Sequence, residues 1–310
     1  MARYIQSFET SGAVQTALDN GVLGKPYVAY VEDSDSIDWD TNVPARNYSN
    51  EYLTFEILSA GTINIQSPGG KLLCNIQYRL NNGTWQTAQF KGTTGYTIGT
   101  FNVNDIIEFK GNTSSYGYVL NAVNNGNNFS NSTAAFNVYG NIMSLIYEDD
   151  FIGKTSLPSD TDRNFCSMFK NTSIVNASNL VLPATTLTNY CYSNMFYGSS
   201  LTTAPSILPA TTLTEGCYQD MFRNCSSLTT APELPATTLA AKSYSYMFNS
   251  CSSLNYIKCL ATDRSATDST YSWVTGVYTQ NGTFVKAASM SSWPSGNNGI
   301  PANWTIQDAS

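Results

Sequence analysis

Three sets of residues in this 310-residue chain have types and spacings that could support chemistry. The densest is the acidic run Glu32-Asp33-Ser34-Asp35-Ser36-Ile37-Asp38-Trp39-Asp40. Asp33, Asp35 and Asp38 could offer oxygens to Ca2+, which takes roughly six to eight such ligands. An EF-hand loop also needs a central glycine and a closing Glu, and Pro44 stands where that Glu belongs, so a solvated acidic loop is expected. Glu148-Asp149-Asp150 could in principle serve glycoside hydrolysis, but neighbouring carboxylates rarely present both groups across one scissile bond. A hinge or interface is the better expectation. The cysteines number seven, with no Cys-x-x-Cys pair; Cys191 with Cys217 and Cys225 with Cys251 are each 26 apart. Buried free thiols are expected, with pairing as the alternative. The chain contains no His, which removes the commonest general base and metal ligand together. No catalytic residue, metal or cofactor is therefore expected.

Composition narrows the partners. Charged residues are 12% of the chain, against about 25% in an average soluble domain, and Ser, Thr, Asn, Gln, Gly and Tyr take their place. The net charge of −7 and the absence of a Lys/Arg cluster along the sequence argue against nucleic acid. No apolar run approaches the roughly 20 residues of a membrane span, and no signal-peptide core follows Met1. Membrane insertion is not expected, and synthesis in a cytoplasm without an export signal is.

The elements that would position a site fall into four parts: residues 1–50, 51–147, 148–260 and 261–310. The first reads as an extended anchoring arm. A helix from Thr10 or Ser11 to Leu18 is predicted, then a strand at Tyr27-Val28-Ala29-Tyr30-Val31, with Tyr27, Val28, Tyr30 and Val31 as the anchoring residues. From Glu51 to Tyr147, period-two alternation at Leu53/Phe55/Ile57, Ile63/Ile65 and Ile76/Tyr78/Leu80 predicts strands. Asn82-Gly83 predicts a hairpin turn, and further strands are expected at 106–109, 135–138 and 142–146. The expected arrangement is an antiparallel β-sandwich.

The third part repeats. Met-Phe pairs stand at Met168, Met195, Met221 and Met247, spaced 27, 26 and 26; Leu-Pro-Ala-Thr-Thr-Leu begins at Leu182, Leu208 and Leu234. A period of 26 lies within the range of leucine-rich repeats, in which each copy gives a strand and a short helix. The Cys/Tyr/Met/Phe run is predicted helical and Leu-Thr-Thr-Ala-Pro extended, giving a multidomain, β-rich chain that ends in a short α/β solenoid with a C-terminal cap. A short helix is predicted at Asp268–Val277. Tyr192, Tyr218 and Tyr244 form a ladder expected to lie in the core. Tyr190, Tyr197 and Tyr246 are the candidates for an exposed ligand-binding surface, where rings could stack on sugars beside Thr and Asn groups.

The run Cys217-Tyr218-Gln219-Asp220-Met221-Phe222-Arg223-Asn224-Cys225-Ser226-Ser227-Leu228 resembles the BspA-type leucine-rich repeats of Bacteroides and their phages, over about Phe165–Leu260. The first copy departs from it, with Thr172 in place of the Cys four residues after Met. The arm, from Ser11-Gly12-Ala13 to Gly24-Lys25-Pro26-Tyr27, resembles the N-terminus of capsid head-fibre proteins of crAss-like phages. Together these resemblances imply a non-enzymatic virion structural protein. It would be a homotrimer, held to the capsid or another virion protein by its arm and presenting repeats to a host glycan or surface protein. A bacterial cell-surface adhesin and a tail fibre or receptor-binding protein are the alternative expectations.

Overall fold

The computed structural model describes residues 5–8, 28–31, 36–39, 46–65, 76–88, 96–112, 128–159, 162–291 and 293–309. The chain divides into two compact units, Met1–Asn47 and Tyr48–Ser310. In the first, β1 (Ile5–Phe8) pairs in parallel with β2 (Val28–Val31), which pairs antiparallel with β3 (Ser36–Trp39). The anchoring residues Val28, Tyr30 and Val31 lie on the central strand of this sheet. Tyr27, the helix expected to end at Leu18, and Asp33 and Asp35 lie outside the described residues, whereas Asp38 sits within β3.

The second unit is β-rich and opens with two sheets. β4 (Leu53–Ile57), β6 (Ile76–Leu80), β7 (Gln86–Thr87), β9 (Ile106–Gly111), β10 (Phe136–Asn141) and β11 (Asn179–Val181) form one, in the order β11-β10-β4-β9-β6-β7. β5 (Gly61–Ile65) and β8 (Tyr96–Phe101) form the other, with a bulge at Ile63/Asn64. The period-two residues Leu53, Phe55, Ile57, Ile63, Ile76, Ile107 and Phe109 are all buried, and the Phe55 ring meets those of Phe136, Phe109 and Phe129 at 4.4, 4.7 and 4.7 Å. The β6–β7 hairpin turns one residue earlier than expected, with positive φ at Asn81 and Asn82 rather than at Gly83. The strand expected at 142–146 is instead a short helix, α1 (Ser144–Tyr147). Its Ser144 hydroxyl donates to the Phe109 carbonyl and accepts from the Leu53 amide, which fastens the helix over two strands. Asp149 is likewise a fastener: it accepts from the Tyr52 hydroxyl at 2.6 Å and pairs with Lys110 at 2.8 Å.

From Arg163 onward the chain winds in coils that stack at the repeat period. Here the helix expectation fails. Each Cys/Tyr/Met/Phe run is a succession of turns with a left-handed residue at every fourth position: 163, 167, 171, then 190, 194, 198, then 216, 220, 224, then 242, 246, 250. Such a residue interrupts the right-handed run that i→i−4 bonding requires. Every second amide bonds within its own coil, as Met195 does to the Tyr192 carbonyl, and the amides between them reach the next coil. Thus Phe165, Ser167 and Phe169 donate to Cys191, Ser193 and Met195, and Tyr218, Asp220 and Phe222 donate to Ser243, Ser245 and Met247. Both alternatives satisfy the buried backbone, so nothing is lost by forgoing the helix. The Leu-Thr-Thr-Ala-Pro stretches contribute only isolated parallel bridges, such as Asn176↔Thr203 and Thr230↔Tyr256, because prolines interrupt the donors on that side.

Side chains follow the same register. The rings of Phe169, Phe196, Phe222 and Phe248 stack at 5.4, 5.3 and 5.7 Å, and Phe165, Tyr192, Tyr218 and Tyr244 form a second column. The first column runs on into the sheets, since Phe169 also stacks on Phe129 at 5.8 Å. Residues 268–276, predicted helical, are a fifth coil of turns, with positive φ at Asp268, Ser272 and Gly276. Trp273 joins both columns, 6.3 Å from Tyr244 and 6.0 Å from Phe248, and stacks in turn on Trp293 at 5.5 Å. Its indole N–H donates to the Gly299 carbonyl, and the Asn298 side chain accepts from the Ser272 amide. Along one edge, β12 (Tyr256–Cys259), β13 (Thr283–Lys286) and β14 (Thr305–Asp308) pair in parallel.

The six described cysteines are free and buried. Cys225 and Cys251 direct their sulfurs to the carbonyls of Phe196 and Phe222, each at 3.0 Å, while Thr172 bonds the Phe169 carbonyl of its own coil. The departure in the first copy thus keeps a donor in place and changes which coil it serves. Burial raises the Cys217 and Cys259 thiols to about 12, against 9.0 for an exposed thiol.

Two outcomes follow from this packing. Trp273→Ala removes the ring on which both columns converge and is expected to lower unfolding stability by about 3–5 kcal/mol in a denaturant titration, as for other buried aromatics. The raised thiols contribute stability that is complete below the pKa of the unfolded group and declines as pH rises from 9 toward 12. Thermal midpoints should therefore fall over that interval, and a thiol reagent at pH 8 should label these cysteines only after denaturant is added.

Candidate functional site

Stacking leaves one side chain per coil at each outward position, so outward columns are built from register-equivalent residues. Arg163, Tyr190, Gly216 and Lys242 share one position, five residues before each Met, and Lys170, Tyr197, Arg223 and Asn249 share another, two residues after it. Arg163, Tyr190 and Lys242 of the first and Lys170, Tyr197 and Arg223 of the second wall a groove of about 470 Å3 lined also by Ser193, Asn194, Gln219 and Asp220. That volume lies within the range of roughly 300–1,000 Å3 typical of ligand pockets.

Two of the three tyrosines expected to form a binding surface, Tyr190 and Tyr197, line this groove. Tyr246 is half-buried beside it, with its ring 4.9 Å from the Arg223 guanidinium and 5.3 Å from Tyr271. The expected sugar-stacking role does not fit the geometry. The Arg163 guanidinium covers the Tyr190 ring at 4.6 Å, and on the following coil a Cβ on Gly216 would fall 2.2 Å from the same ring. Tyr197 lies between Lys170 of the preceding coil and Arg223 of the following one, at 4.9 and 5.8 Å. The ring faces are therefore occupied by cations and backbone, and the tyrosines serve as spacers that hold the cations in a row.

The groove is consequently a cationic site in an acidic chain. Lys242 pairs with Glu215 at 3.0 Å, and Glu215 also accepts from the Tyr190 hydroxyl at 2.7 Å. The Tyr190 hydroxyl and then Lys242 hold the Glu215 carboxyl below its ordinary range, while burial and then Glu215 push Tyr190 up. Arg223 pairs with Asp220, whose second oxygen accepts from the Gln219 amide. Arg163 and Lys170 pair with no carboxylate among the described residues. Two polar atoms of the lining, Gln219 Oε1 and Arg223 Nε, are closed to solvent and lack a partner. The cations escaped the sequence reading because they lie 7, 53 and 19 residues apart along the chain and meet only through the stack. Their shared offsets from the Met-Phe pairs were the available signal.

The remaining candidates do not join the groove. Asp149 belongs to the Tyr52–Lys110 fastening described above, and Asp150 pairs with Lys154 on the surface. No cluster of three or more potential metal ligands occurs among the described residues, and no helix among them is long and apolar enough to cross a membrane.

Gly216 tests the spacer arrangement, since it has φ +59° and its Cα faces the Tyr190 ring. Gly216→Ala is expected to cost about 1–2 kcal/mol for the left-handed conformation alone, and more for the displaced ring, read as a lower denaturation midpoint. Comparison with protein-family models, curated proteins and solved structures gave no match for the chain.

Proposed function

We propose that this chain is a non-enzymatic attachment protein of a virion surface, a head fibre or capsid decoration. Its N-terminal unit fixes it to the capsid or another virion protein as a homotrimer, and its stacked coils are a leucine-rich-repeat solenoid that meets the host. The observation that carries this reading is the stack itself. The phenylalanine column inside repeats from copy to copy, whereas the two register positions beside the groove, 163/190/216/242 and 170/197/223/249, differ in every copy. A scaffold with an invariant interior and a variable outer face suits recognition. The resemblance of the arm to capsid-attached fibres and of the repeats to phage-borne ones supports the virion setting.

Antibody against the full-length chain, applied to purified particles from cultures in which it is made, should label capsids in electron micrographs. The purified chain should sediment as a trimer. A monomeric chain that is absent from particles and displayed on bacterial cells would replace this reading with that of an adhesin.

A further inference from the structure

We infer that the groove between the first four coils binds an acidic saccharide, a polyol that carries carboxylate or sulfate groups. This deepens the proposed function, since it names a ligand for the repeat face.

Three observations converge on that class. Four of the fifteen Lys and Arg residues in a chain of net charge −7 line a single groove. Asp220 and Glu215 balance only Arg223 and Lys242, so Arg163 and Lys170 remain as charges with no carboxylate partner among the described residues. Both are held over tyrosine rings, at 4.6 and 4.9 Å from the ring centres, on the wall of the groove. A local surplus of this sign calls for an anion, and bonds from a guanidinium or ammonium to an oxyanion are among the stronger ones available at a surface.

The second observation concerns faces. With the flat sides of Tyr190 and Tyr197 covered, a neutral sugar loses the aromatic platform on which neutral glycans commonly rest. Charge and hydrogen bonding must do the recognition instead. The third is the pair of unsatisfied atoms. Gln219 Oε1 needs a donor and Arg223 Nε needs an acceptor. The bond from Gln219 Nε2 to Asp220 fixes the amide orientation, so Oε1 is the atom left to accept. Bare sulfate or phosphate dianion offers acceptors only and leaves Gln219 unsatisfied, whereas a sugar acid brings hydroxyl donors and an oxyanion together. Both atoms are closed to solvent, so a ligand satisfies them only by displacing the Arg223 side chain, which is about a third exposed and paired with Asp220. Ser193 and Asn194 supply further hydroxyl and amide partners along the groove.

The test is isothermal titration of the full-length chain with oligomers of polygalacturonate (carboxylate), dextran sulfate (sulfate), neutral dextran and inorganic sulfate. Binding of one or both acidic polymers is expected, with affinity falling steeply between 50 and 500 mM NaCl as the charges are screened, and with no binding of neutral dextran or inorganic sulfate. Arg163→Gln and Lys170→Gln should each weaken the acidic polymer about tenfold, while Lys258→Gln, which breaks the Lys258–Glu233 pair outside the groove, should leave it unchanged. Circular dichroism of each variant shows whether the fold is kept, and Lys170→Arg should restore binding if charge is the cause. Equal binding of neutral dextran, no binding of either acidic polymer, or groove variants that bind as well as the parent would each overturn the inference. Particle labelling would be unaffected by any of these results, so the attachment reading and the ligand class stand or fall separately.

Discussion

The second unit depends on one constraint: each coil must leave every second amide pointing at its neighbour. A left-handed residue at each fourth position sets this alternation, and eight of the fifteen such residues in the five coils are Asn, Asp or Gly, which adopt that conformation most readily. The others, including Arg163, Tyr190, Lys242 and Tyr246, are held there by the bonds to the adjacent coil. Once the backbones are locked in register, like side chains must fall above like. The Phe and Tyr columns, the buried sulfurs and the outward cations all follow from that single geometric rule.

Because no coil satisfies its own donors, the two ends need special arrangements. At the start, the Phe129 amide bonds the Met168 carbonyl and the Ser130 hydroxyl bonds that of Lys170, so the loop that leads into β10 closes the first coil. At the other end the segment 297–299 supplies carbonyl and side-chain partners to the fifth. The parallel pairing of β10 with β11 carries the main sheet onto the stack. Hence the sandwich, repeat and cap segments distinguished in the sequence share one hydrophobic core.

Much of this was legible in the chain, and the misses have physical causes. Period-two alternation located β4, β5, β6, β9 and β10, since a strand with one buried face writes itself directly into the pattern. The Met-Phe spacing located the coils and their interior ladder. It could not tell a helix from a succession of turns, because both place residues three and four apart on one face. The recurrence of Gly216, Asp220 and Asn224 at intervals of four was the distinguishing mark, as three poor helix formers in one short run disfavour a helix. The fifth coil was missed since Trp273 stands where its predecessors have Met, which hides the repeat from a search for identical residues. Of the groove, Tyr190 and Tyr197 were legible, but the packing of Gly216 and the neighbouring cations against their faces was not, since those contacts arise only between stacked coils.

The column Lys170, Tyr197, Arg223, Asn249 holds four different residue types at one register position, whereas the interior column beside it holds four phenylalanines. Selection on such a molecule is thereby partitioned by direction. Inward letters are constrained by the copies on either side, while letters beside the groove vary in type and are constrained only where, as at Gly216, a neighbouring coil packs against them. A duplication of one whole period would lengthen the stack by a single coil and add a fresh row of outward letters without disturbing either closure. The side chains beside the groove can therefore change from copy to copy on a frame that stays the same.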